Sequence, residues 1–350
     1  MDRRVWVAVA SVAVVVMGFF LFRLVSTNGD EGAISITTTL AVTATEPTGS
    51  TTTPPPEATT SAPQETTTTD VVDDMFPVTI EAPNGAVTID TKPEKIVSIS
   101  PTSTEVLFAV GAGAQVVAVD DQSDFPSGTP VTDLTAFTPN VEAIASYDPD
   151  LVFLSFDPGD VVAGLETLGI PVILHPTAVS VDDAYVQWEQ VGAATGNVSG
   201  AAQVVAEIQV SIAASIEALP DGAAALTYYY ELDPTFYSVT SSTFVGELIA
   251  LTGMSNIADA ADPDGYGFPQ LTAEYIIEQN PSLIYLADTK CCGQSAETVA
   301  ERPGWGTLDA VVNGSVIELD DDVASRWGPR IEDLVYEIVV SILELDVVDA

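Results

Sequence analysis

One long helical pattern divides the chain into two segments that resemble each other. Between Asn197 and Leu219 apolar residues recur at steps of three and four, which places them on one face of an α-helix. Asn197 or Ser199 can cap its start, and Pro220 and Gly222 follow its end. The pattern predicts a helix of roughly 20 residues, about 30 Å long. Such a helix is ordinary in a globular protein, so its meaning depends on the flanking sequence.

The two flanks share spacings of glutamate with glycine and with proline. In each flank a glutamate precedes a glycine by six residues, and further along another glutamate precedes a proline by seven. The pairs before the helix are Glu105 with Gly111 and Glu142 with Pro149, and those after it are Glu247 with Gly253 and Glu274 with Pro281. A proline before a strand is common in α/β units, but two matches in the same order indicate two units of one kind joined by a rigid helix.

Short apolar runs predict the fold class. KIVSIS, QVVAV, LVFLSF and PVIL precede the long helix, and ALTYYY, SLIYL and SVIEL follow it. Runs of this kind suit strands of a parallel sheet that is buried on both faces. An alternating segment around Asn84-Gly85 predicts an opening hairpin. We therefore predict an α/β protein with two lobes, each containing a mostly parallel sheet.

The N-terminus predicts export across a membrane. Residues 5–22 carry no charge, and they lie between an arginine pair and Arg23. As a helix this segment would rise about 27 Å, close to the thickness of a bilayer core. The arginine pair would stay on the cytoplasmic side, with everything downstream outside. An uncleaved anchor is favoured over a cleaved signal peptide, because no clear small-residue cleavage site is present.

Composition defines the remaining segments. Residues 37–69 are rich in Thr, Pro and Ala and nearly free of large apolar residues, which predicts a disordered stalk. The predicted order is a membrane segment at 1–27, a linker at 28–75, an N-terminal lobe at 76–196, an interlobe helix at 197–219 and a C-terminal lobe at 220–350. The head would be held at the cell membrane, outside the cytoplasm.

The charge balance excludes one large class of partner. The chain has 9 basic and 51 acidic residues, a net charge of −42. A surface of this sign repels phosphate backbones, so we predict no nucleic-acid binding. Solvation, or adaptation to salt, is the simpler interpretation of the acidic residues.

Motifs of known catalytic classes are missing from the sequence. His175 is its only histidine, so an HExxH helix and a His-rich zinc site are excluded. It contains neither a GxSxG elbow nor a glycine run ending in Gly-Lys-Ser/Thr. We expect His175 to have a structural role at a strand end, and we predict no enzyme, no cofactor and no metal site.

Cys291 and Cys292 are adjacent, and they are the only cysteines. Neighbouring Cα atoms lie about 3.8 Å apart, below the usual range for a disulfide. We expect two free thiols, with soft-metal binding as the alternative. Lipid attachment through an N-terminal cysteine is excluded.

Loops that follow the predicted strands are rich in aromatic residues. In parallel sheets a ligand binds beyond the carboxyl ends of the strands. The aromatic residues in these loops are Phe137, Phe156, Phe236, Tyr237, Tyr266, Phe268 and Trp327, and Thr102 lies in the first such loop. Any one of them could belong to a core, but together they indicate a bulky ligand held by apolar contact and stacking.

The loop SRWGPR holds two of the six basic residues beyond Asp70. Arg330 follows Pro329, which suits the first turn of a final helix, so we expect a structural role for it. No such role is evident for Arg326. A guanidinium at a cleft mouth can donate to carboxylate, catecholate or hydroxamate oxygens, so we predict that Arg326 contacts the ligand.

From Lys92 to the C-terminus the chain resembles the substrate-binding proteins of ABC importers for ferric siderophores and cobalamin. The motifs that carry the resemblance are KIVSISPTSTEVLFAVGAG, PNVEAIASYDPDLVFL, LGIPVIL, FVGELIALTG, PQLTAEYIIEQNPSLIYL, PGWGTLDAVVNGSVIEL and RWGPR, in that order. The resemblance implies two Rossmann-like lobes joined by a single long α-helix. It also implies a ligand in the cleft between the lobes and only slight closure around that ligand.

The resemblance further assigns candidate residues. Glu142 and Glu274 match the glutamates that reach arginine pockets on the permease dimer; the alternative is two solvated carboxylates favoured by helix dipoles. Phe268 and, less closely, Phe137 match aromatic residues of the cleft, and Arg326 matches a basic position. The candidate ligand-binding set is Arg326, Phe268, Phe137, Trp327, Tyr266, Tyr237, Phe156 and Thr102.

The sequence therefore predicts the solute-binding component of an ABC importer, which delivers a ferric siderophore or cobalamin to a permease. A surface-anchored sensor or adhesion protein with the same fold is the alternative. Because the net charge of −42 disfavours strongly anionic complexes, a neutral or cationic ferric hydroxamate, or cobalamin, is expected rather than a trianionic catecholate.

Overall fold

The computed structural model describes residues 75–345. The predicted membrane segment and almost all of the predicted linker lie outside the described residues, as do the last five positions of the chain.

The described part of the chain contains ten strands in three sheets. The strands are β1 Val78–Ala82, β2 Gly85–Ile89, β3 Ile96–Ile99, β4 Val116–Val119, β5 Leu151–Leu154, β6 Val172–Leu174, β7 Thr227–Glu231, β8 Ser255–Asn256, β9 Leu283–Leu286 and β10 Val316–Glu318. β1 and β2 form the predicted antiparallel hairpin. Each of the seven apolar runs forms a strand. The two-residue strand β8 contains no apolar run and was not predicted.

The two larger sheets are parallel and share one topology. The first sheet has the order β4-β3-β5-β6, and the second has the order β8-β7-β9-β10. Numbered within each sheet, both orders are 2-1-3-4. Every residue of β3, β5 and β9 is buried, as expected for parallel strands that are covered on both faces.

Helices follow the strands of both sheets. They are α1 Pro101–Ala109, α2 Val141–Ala145, α3 Val161–Thr167, α4 Val181–Thr195, α5 Val198–Glu217, α6 Phe244–Ala250, α7 Ala273–Gln279, α8 Thr289–Cys292, α9 Ala296–Ala300, α10 Asp309–Val312, α11 Asp321–Ser325 and α12 Ile331–Leu343. Short 3-10 turns lie at Gly113–Gln115, Ala223–Ala225, Asp259–Ala261 and Trp305–Thr307.

The long helix predicted between the two repeats is α5, which has 20 residues. It follows the last helix of the first sheet and precedes the first strand of the second. Among the described residues it is the helix long and apolar enough to span a membrane, but Val205, Ile208 and Ile212 are buried in the protein core. The other two residues of the predicted face, Ile216 and Leu219, are half-buried against the same core, so core packing accounts for its apolar character. α5 packs on α4 and α12.

One detail of that helix differs from the prediction. Asn197 occupies the cap position, but its side chain makes no capping bond. Its amide instead donates to Oε1 of Gln115 and to the backbone carbonyl and the hydroxyl oxygen of Thr195. Nearby, a Cβ on Gly200 would lie 2.1 Å from the carbonyl oxygen of Val110, so glycine permits the close approach of α5 to the end of α1.

The repeated spacings correspond to equivalent positions in the two sheets. Glu105 lies on α1 after the first strand of the first sheet, and Glu247 lies on α6 after the first strand of the second. Gly111 and Gly253, just beyond these helices, have φ of 92° and 80°, a conformation that favours glycine. We call the segment up to α4 the first half of the molecule and the segment from β7 the second half.

Candidate functional site

An apolar cavity of about 510 Å³ opens where loops of both halves meet. From the first half, residues 177–179 contribute, just after β6. From the second half come Leu232 and Val239 after β7, residues 242–245 at the start of α6, the loop 265–268, and residues 324–325 at the end of α11. These segments follow the carboxyl ends of the strands, where parallel sheets bind their ligands.

The lining of this cavity is aliphatic and aromatic. None of the described residues that line it carries a charge. Besides the phenol of Tyr266, its polar side-chain groups are the hydroxyls of Thr177, Ser242, Thr243 and Ser325. Three of these are partly occupied, because Thr243 donates to the carbonyl of Thr240 and Ser325 donates to that of Asp321. Oγ of Ser242 lies 2.8 Å from Oγ1 of Thr240. The cavity can therefore take a large ligand through apolar contact, with a few neutral hydrogen bonds.

The structure brings two of the predicted aromatic residues to the cavity. Tyr266 and Phe268 line it, with exposures of 80% and 53%. Phe137, Phe156 and Tyr237 are exposed in strand-end loops but do not belong to this lining.

Three other residues of the predicted rim are not accessible there. Trp327 is 9% exposed, and its indole N–H donates to Oε1 of Gln187 at 2.8 Å. Phe236 is half-buried and stacks on Trp305, with 5.6 Å between ring centroids. Thr102 is buried in α1. The expectation of an exposed aromatic rim is wrong for Trp327 and Phe236, because local sequence does not distinguish a loop aromatic from one that packs on a distant segment.

The first-half wall at residues 177–179 is not among the loops predicted from the sequence. The same strand-end rule would have found it, because these residues follow β6 as the other loops follow their strands. Val179 is 74% exposed and stands at the cavity.

Arg326 lies outside the apolar cavity, in a polar pocket of about 350 Å³ lined also by Asp121, Gln122 and Asp124. Its guanidinium donates to Glu105 at 2.8 Å, to Asp322 at 2.7 Å and to the carbonyl of Gln122 at 2.9 Å. The prediction that no structural role accounts for Arg326 is wrong. Its partner Glu105 is 221 positions away in sequence, so no local pattern could have revealed the contact.

Arg330 has the structural role expected of it. It binds the same Glu105 at 2.6 and 3.0 Å and lies 4.4 Å over the ring of Phe125. Two guanidinium groups therefore share one carboxylate that is itself 2% exposed. Hydrogen bonds and paired charge offset the cost of burying it.

The expectation of free thiols is wrong, because Cys291 and Cys292 form a disulfide. The pair lies at the exposed end of α8, and Cys291 lines the polar pocket. In the described part of the chain, no cluster of three or more His, Cys, Asp or Glu residues could hold a metal ion.

Below α8 lies a buried ionisable cluster. Arg302 donates to both carboxylate oxygens of Glu231, at 2.6 and 2.5 Å, and to Gln294 at 2.6 Å. Next to them the carboxyl of Asp288 is fully buried, and neither of its oxygens has a hydrogen-bond partner among the described residues. Burial, with the nearby charge of Glu231, raises the pKa of Asp288 to about 7.

His175 is buried at the end of β6, where its Nε2 lies 2.9 Å from Oε1 of Gln190. Burial lowers its pKa to about 4, so the imidazole is neutral at physiological pH. This placement agrees with the structural role expected from the sequence.

Glu142 and Glu274 occupy equivalent positions in the two halves. Each lies exposed in the first turn of a short helix, α2 and α7. Asn140 and Thr272 cap these helices through their side chains, which fixes the local backbone around both glutamates.

Comparison with known proteins decides the family. Residues 96–323 match the family model described as periplasmic binding protein. The chain belongs to the periplasmic binding protein family. Within it, the chain falls in the group of ferric siderophore and cobalamin binding proteins, as the sequence resemblance indicated.

Three similar proteins illustrate the match. An uncharacterized ABC transporter substrate-binding lipoprotein of Bacillus subtilis, YvrC, is 32% identical over 77% of this chain and 86% of its own length. A cobalamin-binding protein of Halobacterium salinarum is 30% identical over 73% of this chain and 71% of its own. The crystal structure of a possible iron-binding, periplasmic solute-binding protein of Staphylococcus epidermidis matches with a TM-score of 0.64 and 25% identity, covering 73% of this chain and all of that one.

Proposed function

We propose that this protein is the extracytoplasmic solute-binding component of an ABC importer, and that it captures cobalamin or a ferric siderophore for delivery to a permease. The observation that carries the proposal is the uncharged apolar cavity between loops of the two parallel sheets. A membrane helix in residues 1–27 would hold the head outside the cytoplasm, as the sequence predicts. Helix α5 would serve as the stiff connection between the two halves.

The cavity supports a neutral or cationic ligand. An anionic chelate needs basic partners, and none of the described lining residues is basic. Arg326, the basic residue proposed from sequence, has its guanidinium occupied by Glu105 and Asp322. The net charge of −42 also repels anions at long range. Cobalamin, or a neutral or cationic ferric hydroxamate, therefore suits the cavity better than a trianionic catecholate.

Tyr266 and Phe268 are the residues that we propose as the aromatic contacts of the ligand. Both are exposed on the cavity wall, and both follow a glycine with φ above 70° that shapes the loop, Gly265 and Gly267. Phe137, Phe156 and Tyr237 remain candidates for a ligand that extends beyond the cavity.

We also propose that Glu142 and Glu274 dock on the permease dimer. Their exposure, their matched positions on α2 and α7 and the family resemblance support this assignment. The alternative is a sensor or adhesion protein, and a pure adhesion protein would need neither this pair nor the cavity.

Isothermal titration calorimetry on the full chain tests the ligand class. The panel contains cyanocobalamin, ferrioxamine as a ferric hydroxamate, a ferric tricatecholate and haem. We expect cyanocobalamin or ferrioxamine to bind. In the variants Tyr266→Ala and Phe268→Ala we expect the affinity for that ligand to fall by about tenfold, because stacking and buried area are lost.

Tyr336→Ala is the matched control, because this tyrosine is 62% exposed on α12 and does not line the cavity. Tightest binding of the tricatecholate would overturn the ligand class. Failure of every member of the panel to bind would overturn the proposed function.

A further inference from the structure

The two equivalent glutamates on α1 and α6 each contact the opposite half of the molecule. Glu105, in the first half, binds Arg326 at 2.8 Å and Arg330 at 2.6 Å, next to the start of α12. Glu247, in the second half, accepts a hydrogen bond at 2.9 Å from the backbone N–H of Val181, the first residue of α4. α4 is the last helix of the first half, and α12 is the last helix of the second half. Each glutamate therefore binds the start of the other half's last helix.

We name these contacts the first clasp (Glu105 with Arg326 and Arg330) and the second clasp (Glu247 with Val181). They differ in chemistry. The first clasp buries one carboxylate against two guanidinium groups, and Gly328 allows the close approach, since a Cβ there would lie 3.0 Å from Oε2 of Glu105. The second clasp is a single hydrogen bond from a backbone N–H to a half-buried carboxylate.

Two tryptophans reinforce the first clasp. Trp188, on α4, donates its indole N–H to the carbonyl of Trp327 at 3.0 Å. Trp327 donates its own indole N–H to Gln187 at 2.8 Å. The segment from 326 to 330 is therefore held to the first half by ion pairs on one side and by neutral hydrogen bonds on the other.

Both clasps end on segments that form the walls of the apolar cavity. Lining residues 177–179 precede Val181, and lining residues 324–325 precede Arg326. The lining residues 242–245 precede Glu247 on the same helix. Each clasp residue named here therefore lies one or two positions from the nearest lining residue of its own segment.

We propose that Glu105 and Glu247 are positioning residues that set the spacing of the cavity walls, Glu105 through its charge and Glu247 through one accepted hydrogen bond. The effect on the ligand rests on the proposed function, whereas the clasps themselves do not. Neither glutamate lines the cavity, so neither is expected to touch the ligand.

Because the two clasps differ in chemistry, we expect a substitution of glutamate by glutamine to preserve the second clasp and to weaken the first. Glutamine at position 247 keeps a carbonyl oxygen that can accept the N–H of Val181. Glutamine at position 105 removes the charge shared by two guanidinium groups and leaves Arg330 without its carboxylate partner.

Hydrogen exchange of the ligand-free full chain tests the clasps. In Glu105→Gln we expect exchange at residues 324–332 to accelerate by about tenfold or more, the factor that corresponds to a loss of about 1.4 kcal/mol in local stability. In Glu247→Ala we expect acceleration at residues 177–183, and in Glu247→Gln no change. Glu166→Gln is the matched control, because this exposed glutamate of α3 makes no side-chain hydrogen bond to the described residues.

Arg326→Gln provides a milder test should Glu105→Gln fold poorly, because Arg330 still pairs with Glu105. It should accelerate exchange at the same residues. Exchange identical to wild type in Glu105→Gln and Arg326→Gln would overturn the first clasp. Equal effects of Glu247→Gln and Glu247→Ala would overturn the role given to the accepted hydrogen bond.

The dissociation rate of cyanocobalamin, measured by stopped-flow, tests the consequence for the cavity. We expect Glu105→Gln to raise that rate by about tenfold while Glu247→Gln leaves it unchanged. An unchanged rate in Glu105→Gln, with accelerated exchange, would show that the clasp does not position the walls. If cyanocobalamin does not bind the wild-type chain, the exchange result still decides whether the clasps exist.

Discussion

At the scale of single residues, Asp288 shows what burial does to a carboxyl group. It ends the run of buried residues that begins in β9, and Glu231 and Asp321 lie nearby. Both negative charges and the loss of hydration favour the protonated form, and Arg302 opposes them only in part. Burial has the opposite effect on the pKa of His175. The protonated form of an imidazole is the charged one, so burial lowers that pKa.

Asp288 should make stability depend on pH near neutrality. Its pKa rises from 3.8 to about 7 in the folded state, so its contribution is fully present below pH 4 and is lost as the pH rises through 7. Asp288→Asn should raise the free energy of unfolding at pH 8 by roughly 2–4 kcal/mol, with little change at pH 4. Thermal unfolding of the wild type and of Asp288→Asn between pH 4 and 9 measures the difference in their stability. His175 is present in both proteins, so its opposite pH dependence cancels in that difference. Parallel curves would contradict the assignment.

At the scale of elements, the short helices α2 and α7 show how the repeated pattern presents side chains. Each begins after a capping side chain, Asn140 or Thr272, and each carries one glutamate in its first turn. Because the cap fixes the first turn, both glutamates are presented in the same way in the two halves. A dimeric permease with two equivalent pockets would match this arrangement.

Charge reversal tests this pair. If the pair docks as proposed, Glu142→Lys and Glu274→Lys should lower uptake by more than about tenfold, because a lysine would repel a basic pocket on the permease. The affinity for cyanocobalamin should stay unchanged, since neither residue lines the cavity. Uptake of labelled cyanocobalamin by cells and calorimetry on the purified chain measure the two quantities. Glu166→Lys serves as the control, and unimpaired uptake in the double variant would remove the docking assignment.

At the scale of the whole molecule, the net charge of −42 is the dominant property. Few basic side chains are available to pair with the acidic ones, so one basic residue can serve several carboxylates. Lys290, for example, binds both Asp320 and Asp322. Self-repulsion among like charges destabilises a compact state, and dissolved salt screens it over a Debye length of about 10 Å at 0.1 M and 3 Å at 1 M.

The folded state should therefore gain stability with salt. Between 0.1 and 1 M NaCl we expect the melting temperature to rise by at least about 4 °C, which corresponds to a gain of roughly 1–2 kcal/mol for a domain of this size. Differential scanning calorimetry gives the value, and sucrose solutions provide a control for effects of solutes without charge. A melting temperature that does not respond to NaCl would contradict a repulsive surface.

The sequence by itself determined the opening hairpin, seven strands of the two parallel sheets and the long helix, together with their order. The seven apolar runs, the buried face of α5 and the matched glutamates all follow from periodicity and spacing, which act over a few residues. Tyr266 and Phe268 were also predictable, because they lie in a loop beyond the carboxyl ends of the strands, where parallel sheets bind their ligands.

Only the tertiary structure decided which loops meet. Arg326 and Glu105 are separated by 221 positions, and the indole of Trp327 and its partner Gln187 by 140, so their pairing depends on how the two halves pack. The placement of residues 177–179 opposite the loop 265–268 has the same origin. Local patterns fix helices and strands through backbone geometry, whereas a cavity and its clasps require segments that are brought together only when both sheets are buried.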